Sequence, residues 1–344
     1  MPQLPPDAIV LTGCGWVTPF AAGPIDDVLR EARHRRPMPP PEATFWAIPD
    51  DLREGFSGFS AELNRDRGAW VTAAAFEHAR RSAGLFDHAV PPERTGLVLG
   101  CALAGQLGMI AFAGEVREQF PRFVSPINFP KTVGNYVSGA LARAYNIRGP
   151  NSTLACGTAS GLDAMVEACG LVANGMADVV FAGGTDTLSP ELALGLTRPT
   201  TTLSEGACLF SIERADHAAA RGAPILAGVV DVAQLADRRS AEAALGTDLV
   251  SNASGAREGV IWIEHWIGDC LGCLGAAAAA AAVGAARGHE VPVCCGGEAG
   301  SVDVRRLHDP QARGTGPIAG VVLAAAGDGE AHHTRLRLSM MPRS

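Results

Sequence analysis

Two stretches of very small residues constrain the fold of this chain more than any other feature. They run from Ala159 to Ala168 and from Gly272 to Ala286. The apolar run that contains the second stretch is mostly alanine, too short and too weakly hydrophobic to span a bilayer. Helices with so little side-chain volume can approach neighbouring backbones closely, as a central layer between sheets requires. The pattern therefore predicts one buried central helix in each half of the chain.

Apolar segments closed by glycine or proline predict buried strands around these helices. The first is Ile9 to Leu11, which we expect to end in a loop at Thr12 to Gly15. The others are 95–101, 152–156, 178–184, 207–213, 225–232, 259–263, 290–295 and 318–325. Because these strands are apolar throughout and alternate with helices, they indicate an α/β protein whose sheets are covered on both faces.

Charge and composition exclude several classes of protein. The 344 residues carry a formal net charge of -8, which argues against a nucleic-acid partner because such a partner needs a basic face. The first residues are polar and proline-rich, unlike a signal peptide. We therefore expect a cytoplasmic protein without a membrane partner.

The nine cysteines lie mostly within apolar runs, which predicts reduced, buried thiols that pack as small hydrophobic side chains. The alternative is a zinc site built from Cys270, Cys273, Cys294 and Cys295. Two adjacent cysteines rarely both bind one tetrahedral ion, so we expect no metal.

Several segments together resemble one enzyme family, the β-ketoacyl synthases, which are condensing enzymes of fatty-acid and polyketide synthesis. The order and spacing of the segments carry the resemblance, and they extend over most of the chain. The segments are 10–19, Ser125-Pro126, Phe129-Pro130, Val133, Asn135, Gly139, Gly149-Pro150, 178–184, 204–207, Glu213, 220–223 and Ile225.

The resemblance implies a thiolase fold, in which two similar halves form five αβαβα layers. The halves would be residues 1–215 and a shortened 216–344. It also implies the family's chemistry: a cysteine at a helix N-terminus holds the acyl chain, and two histidines assist decarboxylation and stabilise the enolate.

The family's nucleophile position corresponds to Thr158 when the chain is aligned without gaps from Gly149-Pro150 to Ser160-Gly161. Cys156 then falls two residues early, inside the strand. This alignment favours the interpretation of Cys156 as a buried cysteine within the strand. A slip of two residues would instead make Cys156 the nucleophile.

The two histidine positions are also substituted. Ser254 corresponds to the first histidine and Asp269 to the second, while Glu264 stands where the family has a lysine. Two acids would repel an enolate or a malonate carboxylate. His265 offers a replacement imidazole, but its position favours a loop or a strand end.

Loss of all three groups makes the chain resemble the chain length factors, inactive partners of ketosynthases in heterodimers. The run from Ala159 to Ala164 is similar to that subgroup. The resemblance implies a ketosynthase partner, transient contact with an acyl carrier protein, and no cofactor apart from the phosphopantetheine-bound substrates of that carrier. The alternative is an acyltransferase or hydrolase that uses Cys156. A malonyl decarboxylase ranks last, because it would need a histidine.

The resemblance also places the dimer interface on the strand before the nucleophile position. Its residues would pair edge to edge with the partner: Ser152, Thr153, Leu154, Ala155 and Cys156. The helix predicted over 105–120 would lie beside this interface. Met109, Phe112 and Val116 form its apolar stripe and would line the partner's tunnel, although a core stripe would have the same spacing.

Overall fold

The computed structural model describes residues 4–32, 45–56, 59–86, 90–119, 121–196, 202–235, 267–287, 289, 291–295, 298–302, 319–325 and 333–340. The helices are α1 (Ile25–Ala32), α2 (Ala61–Asn64), α3 (Arg67–Ser82), α4 (Gln106–Gln119), α5 (Tyr136–Ala144), α6 (Ser160–Ala173), α7 (Pro190–Leu196), α8 (Ala215–Ala220) and α9 (Leu274–Ala286). Short 3-10 helices cover Asp50–Phe56, Pro92–Arg94, Pro121–Phe123, Phe129–Thr132, Gly157–Ala159 and Leu271–Cys273. The strands are β1 (Ile9–Val17), β2 (Ala22–Gly23), β3 (Phe45–Trp46), β4 (Thr95–Gly100), β5 (Asn151–Leu154), β6 (Val179–Asp186), β7 (Leu203–Ser204), β8 (Gly206–Arg214), β9 (Ala227–Leu235), β10 (Val291–Cys295), β11 (Glu298–Val302), β12 (Ala319–Ala325) and β13 (His333–Met340).

Most of the described strands join one mixed sheet. Its order is β12-β13-β9-β1-β8-β6-β4-β5, and β2 pairs with β1. Strand β4 is parallel to β5 and β6, whereas β8 is antiparallel to β6 and to β1. Strand β5 is the last strand at one end, so its outer edge has no partner among the described strands.

The sheet is apolar on both faces. Leu97 and Leu99 of β4 belong to a core shared with α3, while Val98 between them belongs to a second core shared with α6. Leu209 and Phe210 of β8 divide between the same two cores. This alternation follows from the two-residue period of a strand. It confirms the prediction of a sheet covered on both faces.

The two small-residue helices, α6 and α9, pack against each other inside the molecule. Helix α6 contacts β4 and β6 and also β13, while α9 contacts β6 and β12. A Cβ atom at Gly161 of α6 would lie 2.4 Å from the carbonyl oxygen of Gly272 and 3.1 Å from Cα of Gly184. Only glycine fits so close an approach of backbones. The predicted central helices are confirmed.

Strand β1 is longer than predicted, and the expected loop at Thr12 to Gly15 is wrong. The strand continues to Val17. A Cβ atom at Gly13 would lie 2.4 Å from the carbonyl oxygen of Ala79, and one at Gly15 would lie 1.9 Å from that of Ala75. These glycines allow β1 to pack tightly against α3, so they do not mark a turn.

The predicted boundary between residues 215 and 216 falls at the start of α8, directly after β8. The division into two halves remains a prediction, and the strand predicted over 259–263 lies outside the described residues. In the part of the chain that the structure describes, no helix has the length and apolar character needed to cross a membrane.

Candidate functional site

The turn between β5 and α6 carries the predicted nucleophile position. Strand β5 ends at Leu154, and the 3-10 turn Gly157–Ala159 leads directly into α6. Thr158 lies half-buried in this turn, at the N-terminal end of α6. A helix N-terminus stabilises a thiolate, but a threonine hydroxyl remains protonated at neutral pH. The position therefore has the right geometry for an acyl-enzyme site and the wrong side chain.

Cys156 lies beyond the end of β5, and the prediction of a buried strand cysteine is wrong. The residue is exposed. Its N–H donates a 2.8 Å hydrogen bond to Oγ of Ser160, which holds the chain in a turn. Gly157 has a φ of 68°, a left-handed conformation that glycine adopts without strain. These two local features end the strand early, and the apolar pattern does not reveal them.

The thiol of Cys156 is nevertheless poorly suited to nucleophilic attack. Partial burial, the charge of Asp163 and a hydrogen bond with the Asp163 side chain raise the pKa of the Cys156 thiol. Asp163 lies in the first turn of α6 and is itself buried. An activated cysteine needs a lowered pKa, because the thiolate is the nucleophile. The surroundings of Cys156 act in the opposite direction.

Asp269, the residue predicted at the second histidine position, is buried, and its carboxylate and backbone form hydrogen bonds with other backbone groups. Its Oδ1 accepts a 3.0 Å hydrogen bond from the N–H of Leu271. Its backbone N–H donates to Thr202, and its carbonyl oxygen accepts from the N–H of Ser204. The carboxylate thus caps the 3-10 turn Leu271–Cys273 that precedes α9. We see a structural role for this side chain.

A second buried acid, Asp186 at the end of β6, lies in the same region and was not singled out from the sequence. Its carboxylate accepts hydrogen bonds from the N–H groups of Ala102 at 2.8 Å, Leu103 at 2.9 Å and Gly272 at 2.7 Å. Burial raises the pKa of Asp186 to about 7, and the charge of Asp269 adds to this effect while the backbone donors oppose it. The sequence feature that could have identified Asp186 is a charged residue at the end of an apolar strand.

The structure brings two of the predicted positions into one region. The turn Gly157–Ala159, which holds Thr158, contacts the turn Leu271–Cys273, which follows Asp269. The N-terminal ends of α6 and α9 thus meet, as a site with one group on each helix requires. Ser254, Glu264 and His265 lie outside the described residues. At these two positions the structure has the hydroxyl of Thr158 and the carboxyl of Asp269, where the resemblance implies a thiol and an imidazole.

The predicted interface strand is shorter than expected but lies at the edge of the sheet. Its described extent is Asn151–Leu154, so Ala155 and Cys156 follow the strand and are exposed. Ser152, Thr153 and Leu154 are half-buried. Oγ1 of Thr153 is 2.9 Å from Oγ of Ser138 on α5, and this hydrogen bond holds the strand against that helix. Its role as an interface stays a prediction.

Helix α4 and the two turns packed against it, Pro121–Phe123 and Phe129–Thr132, present apolar side chains to solvent. Met109 is 50% exposed, which excludes an ordinary core position for this residue. Phe112 and Val116 are half-buried, and the ring of Phe112 meets that of Phe129 edge-on at 5.6 Å. We call the exposed apolar group around this contact the α4 surface, which comprises Met109, Ile110, Phe123, Ile127, Phe129 and Val133. Their tunnel-lining role stays a prediction.

Two buried glutamates, Glu205 and Glu213, form ion pairs with arginines from other parts of the chain. Glu205 accepts hydrogen bonds from Arg67 at 2.5 and 2.7 Å and from the N–H of Leu188 at 3.0 Å. Glu213 is paired with Arg221 and also accepts from Thr12. Burial alone would raise the pKa of Glu213, but hydrogen bonds, first that of Arg221, bring it below its usual range. Glu205 precedes β8 at the Asp186 end of β6, whereas Glu213 lies opposite Val179 at the start of β6, so the two pairs stabilise opposite ends of these strands.

The described cysteines other than Cys156 are buried, as predicted. Among the residues that the structure describes, no group of three or more histidine, cysteine, aspartate or glutamate side chains could hold a metal ion. Cys294 and Cys295 lie on β10, and their side chains are outside the description.

The family model described as "Beta-ketoacyl synthase, N-terminal domain" matches residues 23–223, more than half of the chain. The chain therefore belongs to the β-ketoacyl synthase family.

Individual relatives are similar over part of their length. "Granaticin polyketide putative beta-ketoacyl synthase 1" of Streptomyces violaceoruber is 30% identical over 210 residues, 52% of this chain and 49% of that protein. "Actinorhodin polyketide putative beta-ketoacyl synthase 1" of Streptomyces coelicolor is 29% identical over 210 residues, 52% of this chain and 44% of that protein. "3-oxoacyl-[acyl-carrier-protein] synthase 2" of Rhizobium meliloti is 29% identical over 160 residues, 40% of this chain and 38% of that protein. The matches thus span less than half of each of these relatives.

Solved structures establish the fold. "The ishigamide ketosynthase/chain length factor" superposes with a TM-score of 0.76 and 17% identity, over 97% of this chain and 99% of that chain. A chain of "AntDE:AntF (apo): type II PKS acyl-carrier protein in complex with its ketosynthase bound to the hexaketide" gives a TM-score of 0.74 and 15% identity, over 98% of this chain and 100% of that chain. The chain has the thiolase fold of these ketosynthases, as predicted.

Proposed function

We propose that this chain is a catalytically inactive ketosynthase-like subunit, a chain length factor. It pairs with an active ketosynthase and shapes the tunnel that sets the length of a polyketide. The proposal rests on Thr158, which lies in the turn between β5 and α6, where the resemblance places the family's nucleophile. The subunit needs no cofactor of its own, because the substrates arrive on the phosphopantetheine arm of an acyl carrier protein.

The second helix start supports inactivity. The family's chemistry there stabilises an enolate by hydrogen-bond donors. In this chain Asp269 is an acceptor already bonded to the N–H of Leu271, and Asp186 lies close enough for the two charges to interact. A negative intermediate next to two buried acids would be destabilised.

The surface supports a heterodimer. The outer edge of β5, which has no partner among the described strands, is a template for a strand of another chain. The α4 surface adds large exposed apolar side chains, and such patches mark interaction sites. In the proposed complex, β5 and the residues up to Cys156 pair with the ketosynthase, while Met109, Phe112 and Val116 face its tunnel.

The proposal is tested by co-expression with a ketosynthase encoded beside this chain, followed by purification through a tag on this chain alone. We expect a stable one-to-one complex that makes polyketides when an acyl carrier protein is added. A Phe112→Ala variant should give longer products, because a smaller side chain deepens the tunnel, whereas Phe86→Ala, an exposed residue after α3, should leave product length unchanged. A stable homodimer that never binds the ketosynthase would refute the proposal.

A second candidate function rests on the exposure of Cys156. An acyltransferase or hydrolase would carry the acyl group on this thiol as a thioester. Incubation with acyl-carrier thioesters, followed by mass spectrometry of the intact protein, distinguishes the two functions. An acyl adduct that is lost in Cys156→Ala would favour this enzyme, and its absence favours the inactive subunit.

A further inference from the structure

Four thiols from three parts of the chain lie together in the core beneath the candidate site. Sγ of Cys14 on β1 is 3.9 Å from Sγ of Cys208 on β8. Sγ of Cys208 lies 3.5 Å from the carbonyl oxygen of Ala276 on α9. Cys270 and Cys273, at the start of α9, are joined by a side-chain hydrogen bond. All four cysteines are at most 1% exposed.

The two cysteines of this cluster that lie on strands, Cys14 and Cys208, lack the backbone geometry of a disulfide. Cys14 pairs with Phe210 and Cys208 with Trp16, so the two cysteines are diagonal neighbours on antiparallel strands. Diagonal neighbours are about 7–8 Å apart, beyond the usual Cα separation of a disulfide.

Cys270 and Cys273 are three residues apart in a single turn, which the N–H of Cys273 closes on the carbonyl oxygen of Cys270 at 3.0 Å. A Cβ atom at Gly206 would lie 3.4 Å from Sγ of Cys273 and 3.6 Å from Sγ of Cys270, so both sulfur atoms point to one place. We propose that Cys270 and Cys273 are a redox-active pair that hydrogen peroxide converts into an intramolecular disulfide.

The step balances without any other reactant. The Cys273 sulfur attacks one peroxide oxygen, the O–O bond breaks, and the leaving hydroxide takes up the thiol proton as water. The Cys270 sulfur then attacks the resulting sulfenic acid, its S–O bond breaks, and a second water leaves. Two thiols lose two electrons in total, which the peroxide gains.

The surroundings define which oxidant can act. Burial raises the pKa of Cys273, although the hydrogen bond from Cys270 lowers it in part. The pKa of the Cys270 thiol is raised further, first by that hydrogen bond and then by burial. Reaction is therefore slow and needs a small, uncharged oxidant. Between the two cysteines, Leu271 and Gly272 donate their N–H groups to Asp269 and Asp186, so the disulfide would fix the turn that carries the second catalytic position.

The test uses the full chain in a Cys156→Ala background, which removes the exposed thiol. The folded protein is treated with hydrogen peroxide, denatured, alkylated, digested and analysed by mass spectrometry. We expect the peptide with Cys270 and Cys273 to escape alkylation and to be lighter by two hydrogens, and dithiothreitol to restore alkylation at both positions.

Matched variants locate the bond. Cys270→Ser and Cys273→Ser should each abolish the product, while Cys169→Ala, which removes a buried thiol of α6, should retain it. If a serine variant does not fold, as its circular dichroism will show, the peptide mass of the background protein decides alone. Full alkylation of both cysteines, or a disulfide to another residue, overturns the proposal. No ketosynthase is needed, so the result is independent of the proposed function.

Discussion

At the scale of single residues, partial burial and one carboxylate make the surroundings of Cys156 unlike those of an activated cysteine. The residue is exposed and lies next to a helix start, which are two of the conditions for a reactive thiol. Asp163, in the first turn of α6, reverses the third condition by raising the pKa of the thiol beyond the effect of burial. A cysteine near a helix N-terminus is thus a weak indication of catalysis until its neighbours are known.

Replacement of Asp163 by asparagine should make Cys156 more reactive. The substitution removes the negative charge and keeps an oxygen acceptor for the thiol, so the pKa of Cys156 falls toward its usual value. We expect alkylation by iodoacetamide at pH 7.5 to become about threefold to tenfold faster, since one pKa unit is a factor of ten in thiolate. Glu167→Gln on the same helix is the control. An unchanged rate in Asp163→Asn would show that burial alone governs this thiol.

Asp186 gives the folded protein a distinct pH dependence. Burial raises its pKa to about 7, whereas an aspartate in an unfolded chain titrates near 4. The stabilisation of the folded protein by the protonated carboxyl group of Asp186 is therefore complete at pH 4. It is lost as the pH rises to about 7, which lowers the free energy of unfolding by roughly 1–4 kcal/mol. Urea unfolding at pH 5 and pH 8 measures the loss. In Asp186→Asn the difference between the two pH values should shrink, and an equal difference in both proteins would contradict this assignment.

At the scale of elements, the sequence predicts the helices and strands whose residues show a local pattern of small or apolar side chains. The small-residue content of α6 and α9 was enough to predict two central helices, and the apolar runs located β4, β6 and β8. Gly13 and Gly15 do not form the predicted loop. Each of these glycines allows close contact with a carbonyl oxygen of α3, which is more than fifty residues away in the sequence. Asp186 was missed for a similar reason, since its partners come from two other segments.

Close packing of α6 and α9 predicts opposite effects for two glycines of one helix. A Cβ atom at Gly161 would lie 2.4 Å from the carbonyl oxygen of Gly272, whereas one at Gly170 would have no atom within 4 Å. Gly161→Ala should therefore destabilise the protein by about 1–3 kcal/mol through overpacking. Gly170→Ala should stabilise it by about 0.5–1 kcal/mol through helix propensity. Chemical denaturation of both variants measures the contrast, and two stabilising alanines would disprove the close central layer.

At the scale of the whole molecule, the proposed loss of catalytic groups at Thr158 and Asp269 is combined with a folded core. That core contains the buried carboxylates Glu205 and Glu213, paired with Arg67 and Arg221. Buried ion pairs are costly to break, because a lone charge would remain in the core. A chain with these pairs, an edge strand whose outer side is unpaired among the described strands, and the α4 surface has the properties expected of the proposed subunit, whose function depends on a partner.

The α4 surface provides the sharpest test of that dependence. Met109 is 50% exposed in the isolated chain, so Met109→Glu should leave the unfolding free energy within about 0.5 kcal/mol of the parent. In the proposed complex the same side chain is covered, and a buried, unpaired carboxylate should weaken binding to the ketosynthase at least tenfold. Phe86→Glu, which alters another exposed apolar residue outside this surface, is the matched control and should bind normally. Surface plasmon resonance with immobilised ketosynthase gives both affinities. Equal affinities for the two variants would place the interface elsewhere.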